Sequence, residues 1–549
     1  MLNRKYQNNG LSGHLAGNSL LIKKLLILLF GSSAFVAEGQ KSPTEKPNII
    51  LILADDVGYG DLSCYGAKAV QTPAVDSLAR SGIRFTSAYA CASTCTPSRY
   101  GLLTGHYPWR RKDTGIARGD ASMIITPAQT TVASLLKSSG YVTGVVGKWH
   151  LGLGEGGYNK QAWNDSITPG PKQIGFDYSY IMAATGDRVP CVFVENQRVV
   201  GLDPKDPIQI SYSFPIIGEP TGKDNPELLK LLPSNGHDQA IVNGISRIGY
   251  MKGGHSALWV DENIADTITT KAVQFIEKNR KHPFFLYLCT NDIHVPRVPH
   301  PRFAGKTTMG ARGDAIVEFD WTVSQIMEVL KRLGLEKNTM IILSSDNGPV
   351  VDDGYQDQAR EKLGTHKPWG PLRGGKYSVF EAGTRVPLLV SWPGRVSPGI
   401  SEALVSHIDL IGTLAGIIGK SLPSGSAPDS YNEASVWMGK SSKNRNGVIE
   451  QSPGTLAILD RNYKYIVPSE GPIRDSSTKT ELGNNTDPQL YNLKEDLGEQ
   501  KNLADHYPAK VRVLSEKLKD FKEWRFVRPN IDNPNVKVEY KLTKLKHNE

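Results

Sequence analysis

Five short apolar runs constrain the fold of this chain more than any other feature of its sequence. They lie at residues 49–53, 142–146, 284–288, 340–343 and 386–390. Their length and their polar flanks are typical of buried strands. Apolar residues recur at helical spacing between them, and we predict helices at 73–78, 130–136, 261–279 and 314–334. This alternation predicts an α/β fold in which a mainly parallel sheet is sandwiched by helices.

Polar side chains follow four of these five runs, at the point where each predicted strand ends. They are Asp55 and Asp56, Lys148 and His150, His294, and Asp346 and Asn347. Ligands of open α/β sheets bind beyond the carboxyl ends of the strands, so we expect these side chains to share one site. The acidic and amide members supply hard oxygen ligands that suit Ca²⁺ or Mg²⁺. Taken alone, an Asp-Asp pair also fits a loop or helix cap, and Asp-Asn-Gly fits a turn.

The start of the chain has the pattern of a signal peptide, which we place at residues 1–39. Lys23 and Lys24 precede an apolar run at 25–30, and small residues follow it. A membrane anchor would need about 20 apolar residues, and this run is shorter. We therefore expect an exported protein, periplasmic or extracellular, without stable membrane insertion.

A change in composition near residue 420 indicates a second domain. Ser, Pro and Gly dominate residues 421–428, as in a connector. Short strands are predicted beyond it at 447–450, 456–459 and 463–467, and an amphipathic helix at 508–524. We therefore predict a large domain at 40–420 and a smaller C-terminal α+β domain at 421–549.

Charge and cysteine content narrow the function classes. The formal net charge of +9 is compatible with anionic substrates, but no basic stripe interleaved with aromatic residues points to nucleic acid. The five cysteines are Cys64, Cys91, Cys95, Cys191 and Cys289. An odd number of cysteines in an exported protein suggests that one thiol has another role.

Cys95-Thr96-Pro97-Ser98-Arg99, followed by Leu103-Thr104-Gly105, is the sharpest local motif. It resembles the signature of the type I, formylglycine-dependent sulfatases, and in particular exported carbohydrate sulfatases. Further matches in the order of that family are Gly58-Tyr59-Gly60, Gly147-Lys148-Trp149-His150, Ser345-Asp346-Asn347-Gly348, Leu372-Arg373-Gly374-Gly375-Lys376 and Gln489-Leu490-Tyr491-Asn492-Leu493. The resemblance implies an alkaline-phosphatase-like fold with its catalytic domain at 40–420.

The same resemblance implies the cofactors. Cys95 would be converted to formylglycine by a maturation enzyme, which is one expected partner. Ca²⁺, or alternatively Mg²⁺, would be bound by Asp55, Asp56, Asp346 and Asn347 together with the modified residue 95.

The resemblance also implies the catalytic roles. A hydroxyl of hydrated formylglycine would attack sulfur, release the alcohol and leave a sulfated enzyme. Arg99 would hydrogen-bond the diol, and Lys148 and Lys376 would contact the sulfate oxygens. His294 would act as acid on the leaving oxygen, and His150 as the base that expels sulfate.

We expect a sulfated carbohydrate as substrate: a glycosaminoglycan, mucin or algal glycan, with galactose or N-acetylgalactosamine sulfate as the first choice. Asp187, Arg188, His366 and Arg373 are candidate substrate-binding residues, although loop salt bridges would explain each of them equally well. Two alternatives remain at this point. One is a phosphatase or phosphodiesterase of the alkaline-phosphatase-like fold, which commonly uses Ser or Thr where this chain has Cys95. The other is an inactive glycan-binding protein.

Overall fold

The computed structural model describes residues 46–155, 160–442, 445 and 447–523. Its strands are β1 (Asn48–Ala54), β2 (Ile83–Tyr89), β3 (Val142–Lys148), β4 (Tyr178–Met182), β5 (Phe193–Glu195), β6 (Arg198–Val199), β7 (Gln209–Ser211), β8 (Ile241–Val242), β9 (Ile245–Ser246), β10 (Tyr250–Lys252), β11 (Phe284–Cys289), β12 (Thr339–Ser345), β13 (Leu388–Ser391), β14 (Gly399–Ser406), β15 (Val448–Gln451), β16 (Leu456–Asp460), β17 (Tyr463–Ile466) and β18 (Gln489–Asn492). Its α-helices are α1 (Pro73–Ser81), α2 (Cys95–Thr104), α3 (Val132–Ser138), α4 (Ile264–Asn279), α5 (Gly310–Arg332), α6 (Glu381–Thr384), α7 (Leu410–Ile417), α8 (Ala434–Trp437) and α9 (Pro508–Lys522).

A ten-stranded sheet forms the centre of the fold, in the order β14-β2-β13-β12-β1-β11-β3-β4-β5-β6. The strands β12, β1, β11, β3 and β4 are consecutive and parallel. All residues of β1, β11 and β12 are buried, as expected for parallel strands that are covered on both faces. The predicted mainly parallel α/β sheet is confirmed.

Strand β13 differs from the prediction in direction. It begins at Leu388 rather than Val386 and pairs antiparallel with both β12 and β2. Pro387 has no N–H for a ladder hydrogen bond, so pairing starts just after it. The start of β13, rather than its end, therefore lies at the carboxyl edge of β12, and residues that precede β13 reach that edge.

Helix α5 begins at Gly310, four residues before the predicted start at Asp314. The Asp314 carboxylate accepts hydrogen bonds from the backbone N–H groups of Gly305 and Thr307, at 2.8 Å each. This acid therefore binds the turn that precedes the helix, while its own backbone is already helical. Acidic residues are as well suited to such turns as to a helix start, which explains the error.

A four-stranded antiparallel sheet, β15-β16-β17-β18, forms the small C-terminal domain. Its core combines Ile458, Tyr465 and Leu490 with Leu514 and Phe521 of α9. The core also contains Tyr107 and Ile408 of the large domain, so both domains contribute side chains to it. The boundary between residues 420 and 421 stays a prediction.

A buried charge cluster joins the small sheet to the large domain. The Lys464 ammonium lies 3.0 Å from a carboxylate oxygen of Glu381, 2.9 Å from Glu450 and 3.4 Å from Glu499. Arg385 pairs with Glu381 at 3.0 Å. Burial raises the pKa of Glu450 to about 7 and that of Glu499 to about 8, although Lys464 opposes both shifts. We call these five residues the junction cluster.

No helix within the described residues is both long and apolar enough to cross a membrane. The predicted signal peptide at 1–39 lies outside the described residues, as does Trp524 at the predicted end of the last helix.

Candidate active site

Two acidic segments meet at the carboxyl edge of the large sheet. β1 and β12 are parallel neighbours in register, so the residues after Ala54 lie beside those after Ser345. The Asn347 side-chain amide donates to Asp56 Oδ1 at 2.7 Å, and the Asp56 backbone N–H donates to Asp346 Oδ1 at 3.3 Å. The predicted ligands Asp55, Asp56, Asp346 and Asn347 are all buried, each with no exposed surface.

This group fits a divalent cation. Asn347 Oδ1 is buried and has no hydrogen-bond partner among the described residues, so an amide oxygen remains available for a ligand bond. Burial raises the pKa of Asp55 well above its usual range, and the nearby Asp346 and Asp56 carboxylates raise it further, against Lys148. A bound cation would relieve this repulsion. One donor atom from each of Asp55, Asp56 and His294 lies within 4.8 Å of the other two.

Three basic residues each face one carboxylate of the group. The Lys148 ammonium donates to both oxygens of Asp55 at 2.7 and 2.6 Å. Lys376, which precedes β13, lies 2.9 Å from Asp56 Oδ2. Arg99 Nε donates to Asp346 Oδ2 at 2.9 Å, and its Nη2 lies 2.8 Å from the same oxygen as an ion pair. The site therefore concentrates positive charge where an anionic substrate would bind.

Cys95 is the first residue of α2, a helix in which every residue is buried. A helix N-terminus favours negative charge, and Arg99 lies one turn further along the same helix. Burial raises the pKa of the Cys95 thiol, whereas Lys148 and Lys376 act to lower it. The side chain of residue 95 therefore shares its surroundings with both lysines.

His150 is held by the turn after β3. Gly147 adopts a φ of 102°, and a Cβ there would lie 1.8 Å from the Cys289 carbonyl oxygen, so only glycine fits. The His150 backbone also lies in the left-handed region, with a φ of 54°. Its carbonyl accepts a hydrogen bond from the Thr96 hydroxyl at 3.0 Å, which ties this turn to α2.

The His150 imidazole is arranged as a proton acceptor. Nε2 lies 2.8 Å from the Ala117 carbonyl oxygen, which can only accept, so Nε2 carries the hydrogen. Nδ1 is buried and finds no partner in the described part of the chain. Burial lowers the pKa of His150 well below its usual range, and Lys148 and Arg188 lower it further. A neutral ring with a free lone pair can act as a base.

His294 presents its other ring nitrogen to the site. Nδ1 donates to the Val295 carbonyl at 2.8 Å, and Nε2 lies 3.9 Å from Asp56 Oδ2. Burial, Lys376 and Lys148 lower the pKa of His294 well below its usual range. A sulfate ester bound beside both lysines would oppose their effect, since its negative charge favours the protonated ring.

Comparison with known proteins identifies the family. The family model described as Sulfatase matches residues 47–420. This chain belongs to the sulfatase family. It is therefore a sulfuric ester hydrolase with an alkaline-phosphatase-like fold, and the phosphatase alternative is set aside. Sulfatases generally use a divalent metal and a formylglycine.

Two characterised sulfatases and one solved structure are similar over most of the chain. An N-acetylgalactosamine-6-O-sulfatase of Bacteroides thetaiotaomicron is 53% identical over 498 residues, which cover 90% of this chain and 97% of the relative. Human arylsulfatase A is 31% identical over 505 residues, 88% of each protein. A structure described with the metabolism of multiple glycosaminoglycans by B. thetaiotaomicron matches with a TM-score of 0.86 and 55% identity, covering 87% of this chain and 100% of that one.

Two of the four predicted substrate-binding residues of the sulfatase lie beside the site. Asp187 and Arg188 form an ion pair at 2.9 Å, and His237 Nε2 lies 3.0 Å from the other Asp187 oxygen. The Arg188 charge contributes to the lowered pKa of His150, after burial and Lys148. The Arg188 charge therefore acts on the His150 ring.

The other two have partners elsewhere. His366 is buried, and its Nε2 lies 2.8 Å from Asp61, whose two oxygens also bind the Arg312 guanidinium at 2.8 Å each. Arg373 forms a forked pair with Glu481 at 3.0 and 2.6 Å. The structure thus gives no support to sugar binding by His366. Arg373 lies in the lining of a cavity that does not contain Asp187 or Arg188 in its lining.

A cavity of about 410 Å³ next to Lys376 contains residues that the sequence analysis missed. We call it the inner cavity, and its lining includes His237, Asp353, Tyr377, Asp475 and Thr478. Asp353 Oδ2 accepts from the Lys376 ammonium at 2.9 Å, and the Tyr377 hydroxyl donates to Asp353 Oδ1 at 3.1 Å. No local motif marks His237, which joins Asp187 across 50 positions.

Proposed function

We propose that this sulfatase removes the 6-O-sulfate of N-acetylgalactosamine in sulfated glycans of the glycosaminoglycan type. The observation that carries the proposal is one edge of a sheet at which Cys95, three carboxylates and two lysines meet beside a polar cavity. The 53% identity to an N-acetylgalactosamine-6-O-sulfatase supports the choice of sugar and sulfate position.

We infer that Asp55, Asp56, Asp346 and Asn347 bind the metal and that Cys95 is the residue converted to formylglycine. Carboxylate and amide oxygens favour Ca²⁺, with Mg²⁺ as the alternative. When bound, the cation supplies a Lewis acid, and the hydrated formylglycine supplies the oxygen nucleophile. The unpartnered Asn347 Oδ1 supports this assignment.

The remaining roles follow from charge and hydrogen bonding. Lys148 and Lys376 offset the negative charge of the sulfate group, and both are held in place by aspartates. His294 Nε2 donates a proton to the departing sugar oxygen. His150 Nδ1, whose lone pair is free, accepts the proton when sulfate leaves. Arg99 holds Asp346 and, through its position in α2, orients residue 95.

Asp187 and Arg188 are the substrate-binding residues that we carry forward. Their ion pair presents a carboxylate and a guanidinium to a sugar beside His150, and His237 fixes the Asp187 carboxylate. Hydroxyl groups of a carbohydrate match such paired donors and acceptors.

We also propose that the protein is exported, that its catalytic domain covers 40–420, and that a formylglycine-generating enzyme acts on Cys95. The charged, apolar and small-residue pattern of residues 1–39 supports export. The family match over 47–420 supports the domain range.

Two measurements test the proposal. In protein co-expressed with a formylglycine-generating enzyme, the tryptic peptide 85–99 should be about 18 Da lighter than the unmodified peptide. Cys91 in the same peptide is the internal control and should stay a thiol. This protein should release sulfate from N-acetylgalactosamine 6-sulfate at least ~100-fold faster, in kcat/KM, than from the 4-sulfate. Modified protein that prefers the 4-sulfate would contradict the assignment of position.

A further inference from the structure

A second cavity, of about 530 Å³, adjoins the inner cavity. Its lining includes the basic residues Arg360, Arg373, Arg474 and Lys479, together with Trp369 and Glu481. We call it the basic cavity. Thr478 lines both cavities, because the β17–β18 loop supplies one wall to each of them.

Two of the four basic side chains form no ion pair within 4.0 Å in the part of the chain that the structure describes, whereas the other two do. Arg373 is paired with Glu481, and Arg360 lies 3.3 Å from Asp352. Arg474 and Lys479 are exposed, and they donate hydrogen bonds to the backbone carbonyls of Lys479 and Ser476, respectively. A carbonyl does not neutralise a cation, and the lining contains four basic residues but one acid, Glu481, so the cavity carries net positive charge.

The lining also suits a sugar. Trp369 is partly exposed at the cavity, and an aromatic face can stack against a sugar ring. Guanidinium groups bind carboxylates and sulfates through paired hydrogen bonds. The inner cavity differs in charge, since its lining includes Asp238, Asp353 and Asp475.

We propose that the basic cavity is a subsite for an anionic sugar of the same glycan, further along the chain from the residue whose sulfate is removed. Its ligand group is a uronate carboxylate or a sulfate, bound by Arg474 and Lys479, with the sugar ring against Trp369. This subsite rests on the proposed function, because it needs a glycan that extends from the catalytic edge through the inner cavity.

The test compares substrates in the mature enzyme. They are 6-sulfated N-acetylgalactosamine, an oligosaccharide in which this sugar is followed by uronate-containing units, and the same oligosaccharide with its carboxyls reduced to alcohols. Combined Arg474→Ala and Lys479→Ala substitution should lower kcat/KM about 10-fold on the uronate oligosaccharide and less than 2-fold on the monosaccharide. If sulfate is the bound group instead, the loss will persist on the carboxyl-reduced substrate that keeps its sulfates.

A matched control removes two positive charges from a surface far from the basic cavity. Lys278 and Lys281 are exposed at the end of α4, which leads into the start of β11 and so lies at the edge of the sheet opposite to the site. Lys278→Ala with Lys281→Ala should leave both substrates unaffected. Equal losses with control and cavity variants, or equal losses of the cavity variant on monosaccharide and oligosaccharide, would overturn the subsite.

Binding gives a readout that does not need turnover. In the Cys95→Ala background, calorimetry should show that the uronate oligosaccharide binds about 10-fold more weakly after the cavity substitutions. An unchanged Kd would overturn the subsite. Failure of the mature enzyme to hydrolyse any of the three substrates would instead contradict the proposed function, and the two failures are thereby distinguishable.

Discussion

The sulfatase buries two clusters of charge that differ in how their charges are balanced. At the catalytic edge, three carboxylates each face one basic side chain, and an amide oxygen is left without a partner. In the junction cluster, three glutamates converge on the single ammonium of Lys464. The first cluster adjoins a cavity through Lys376 and Asp353, whereas the second joins the small sheet to the large domain.

The two clusters should therefore contribute to different properties, the first to substrate binding and the second to stability. Buried charge alone does not mark a functional site, because both clusters are inaccessible to solvent. Both clusters contain buried atoms without a hydrogen-bond partner in the described part of the chain, Asn347 Oδ1 and His150 Nδ1 in the first and Glu450 Oε1 and Glu499 Oε1 in the second. The catalytic cluster is marked by the cavity beside Lys376, through which a ligand can reach it. Lys464 instead joins Glu381 of the large domain to Glu450 of the small sheet. Substitutions in the first cluster should therefore affect turnover, and those in the second should affect folding.

The largest expected effect is that of Cys95→Ala. Turnover should fall at least ~10⁴-fold, because the substitution removes the residue that we propose becomes the nucleophile. The stability cost should be about 1 kcal/mol, since only a buried sulfur is removed. Steady-state kinetics and thermal unfolding measure the two effects. Cys91→Ala removes another buried thiol four positions away and should keep full activity; retained activity in Cys95→Ala would refute the mechanism.

Lys464→Met should lower stability and leave turnover unchanged, the opposite of Cys95→Ala. Three buried glutamates lose their shared cation, and the free energy of unfolding should drop by about 3–5 kcal/mol. Denaturant titration at pH 8 measures this loss, and kcat per folded molecule should stay unchanged. The control is Lys517→Met, which breaks the partly exposed pair with Asp460 at 2.9 Å and should cost less than ~1 kcal/mol. A similar loss in both variants would show that the junction cluster contributes no more to the free energy of unfolding than a surface ion pair does.

The pH dependence of stability gives a smaller, finer test. In the folded protein the pKa of Glu450 is about 7, mainly through burial, against 4.5 ordinarily. The folded state therefore binds more protons than the unfolded state between about pH 5 and 7, and stability falls as pH rises through this window. Glu450→Gln should flatten that fall by at most ~1.4 kcal/mol per pH unit.

Unfolding free energies at pH 5, 6, 7 and 8 measure this slope. The exposed Glu495→Gln, also in the small domain, is the control and should leave the slope of the wild type intact. An unchanged slope in Glu450→Gln would mean that this carboxyl is already ionised across the range.

Local patterns predicted much of the architecture. The apolar runs lie within β1, β11 and β12 and predicted them as strands, because parallel strands buried on both faces have continuous apolar sequences. The direction of β13 was not predictable in this way, since an apolar run does not indicate whether its strand pairs parallel or antiparallel with its neighbours. Strand β18 and helix α2 were also missed as elements, although both carry family motifs.

The site could be predicted only in part, because several of its side chains contact residues that are far away in the sequence. The residues after β1 and β12 could be placed together because strand ends define a common edge. His366 and Arg373 also lie in polar segments that suggested substrate binding. In the structure His366 contacts Asp61, 305 positions away, and Arg373 pairs with Glu481, 108 positions away. His237 and Asp353 join the site through contacts that no local motif encodes.

The burial of α2 has a consequence for when this enzyme becomes active. Cys95 is only 2% exposed and begins a helix that is enclosed along its whole length. An enzyme that oxidises this side chain needs access to the surrounding peptide, so it has to act while the segment is still unpacked. Under the proposed conversion of Cys95, the active fraction of the protein is thus set before this segment packs, and a molecule that folds with an intact thiol stays inactive unless it unfolds.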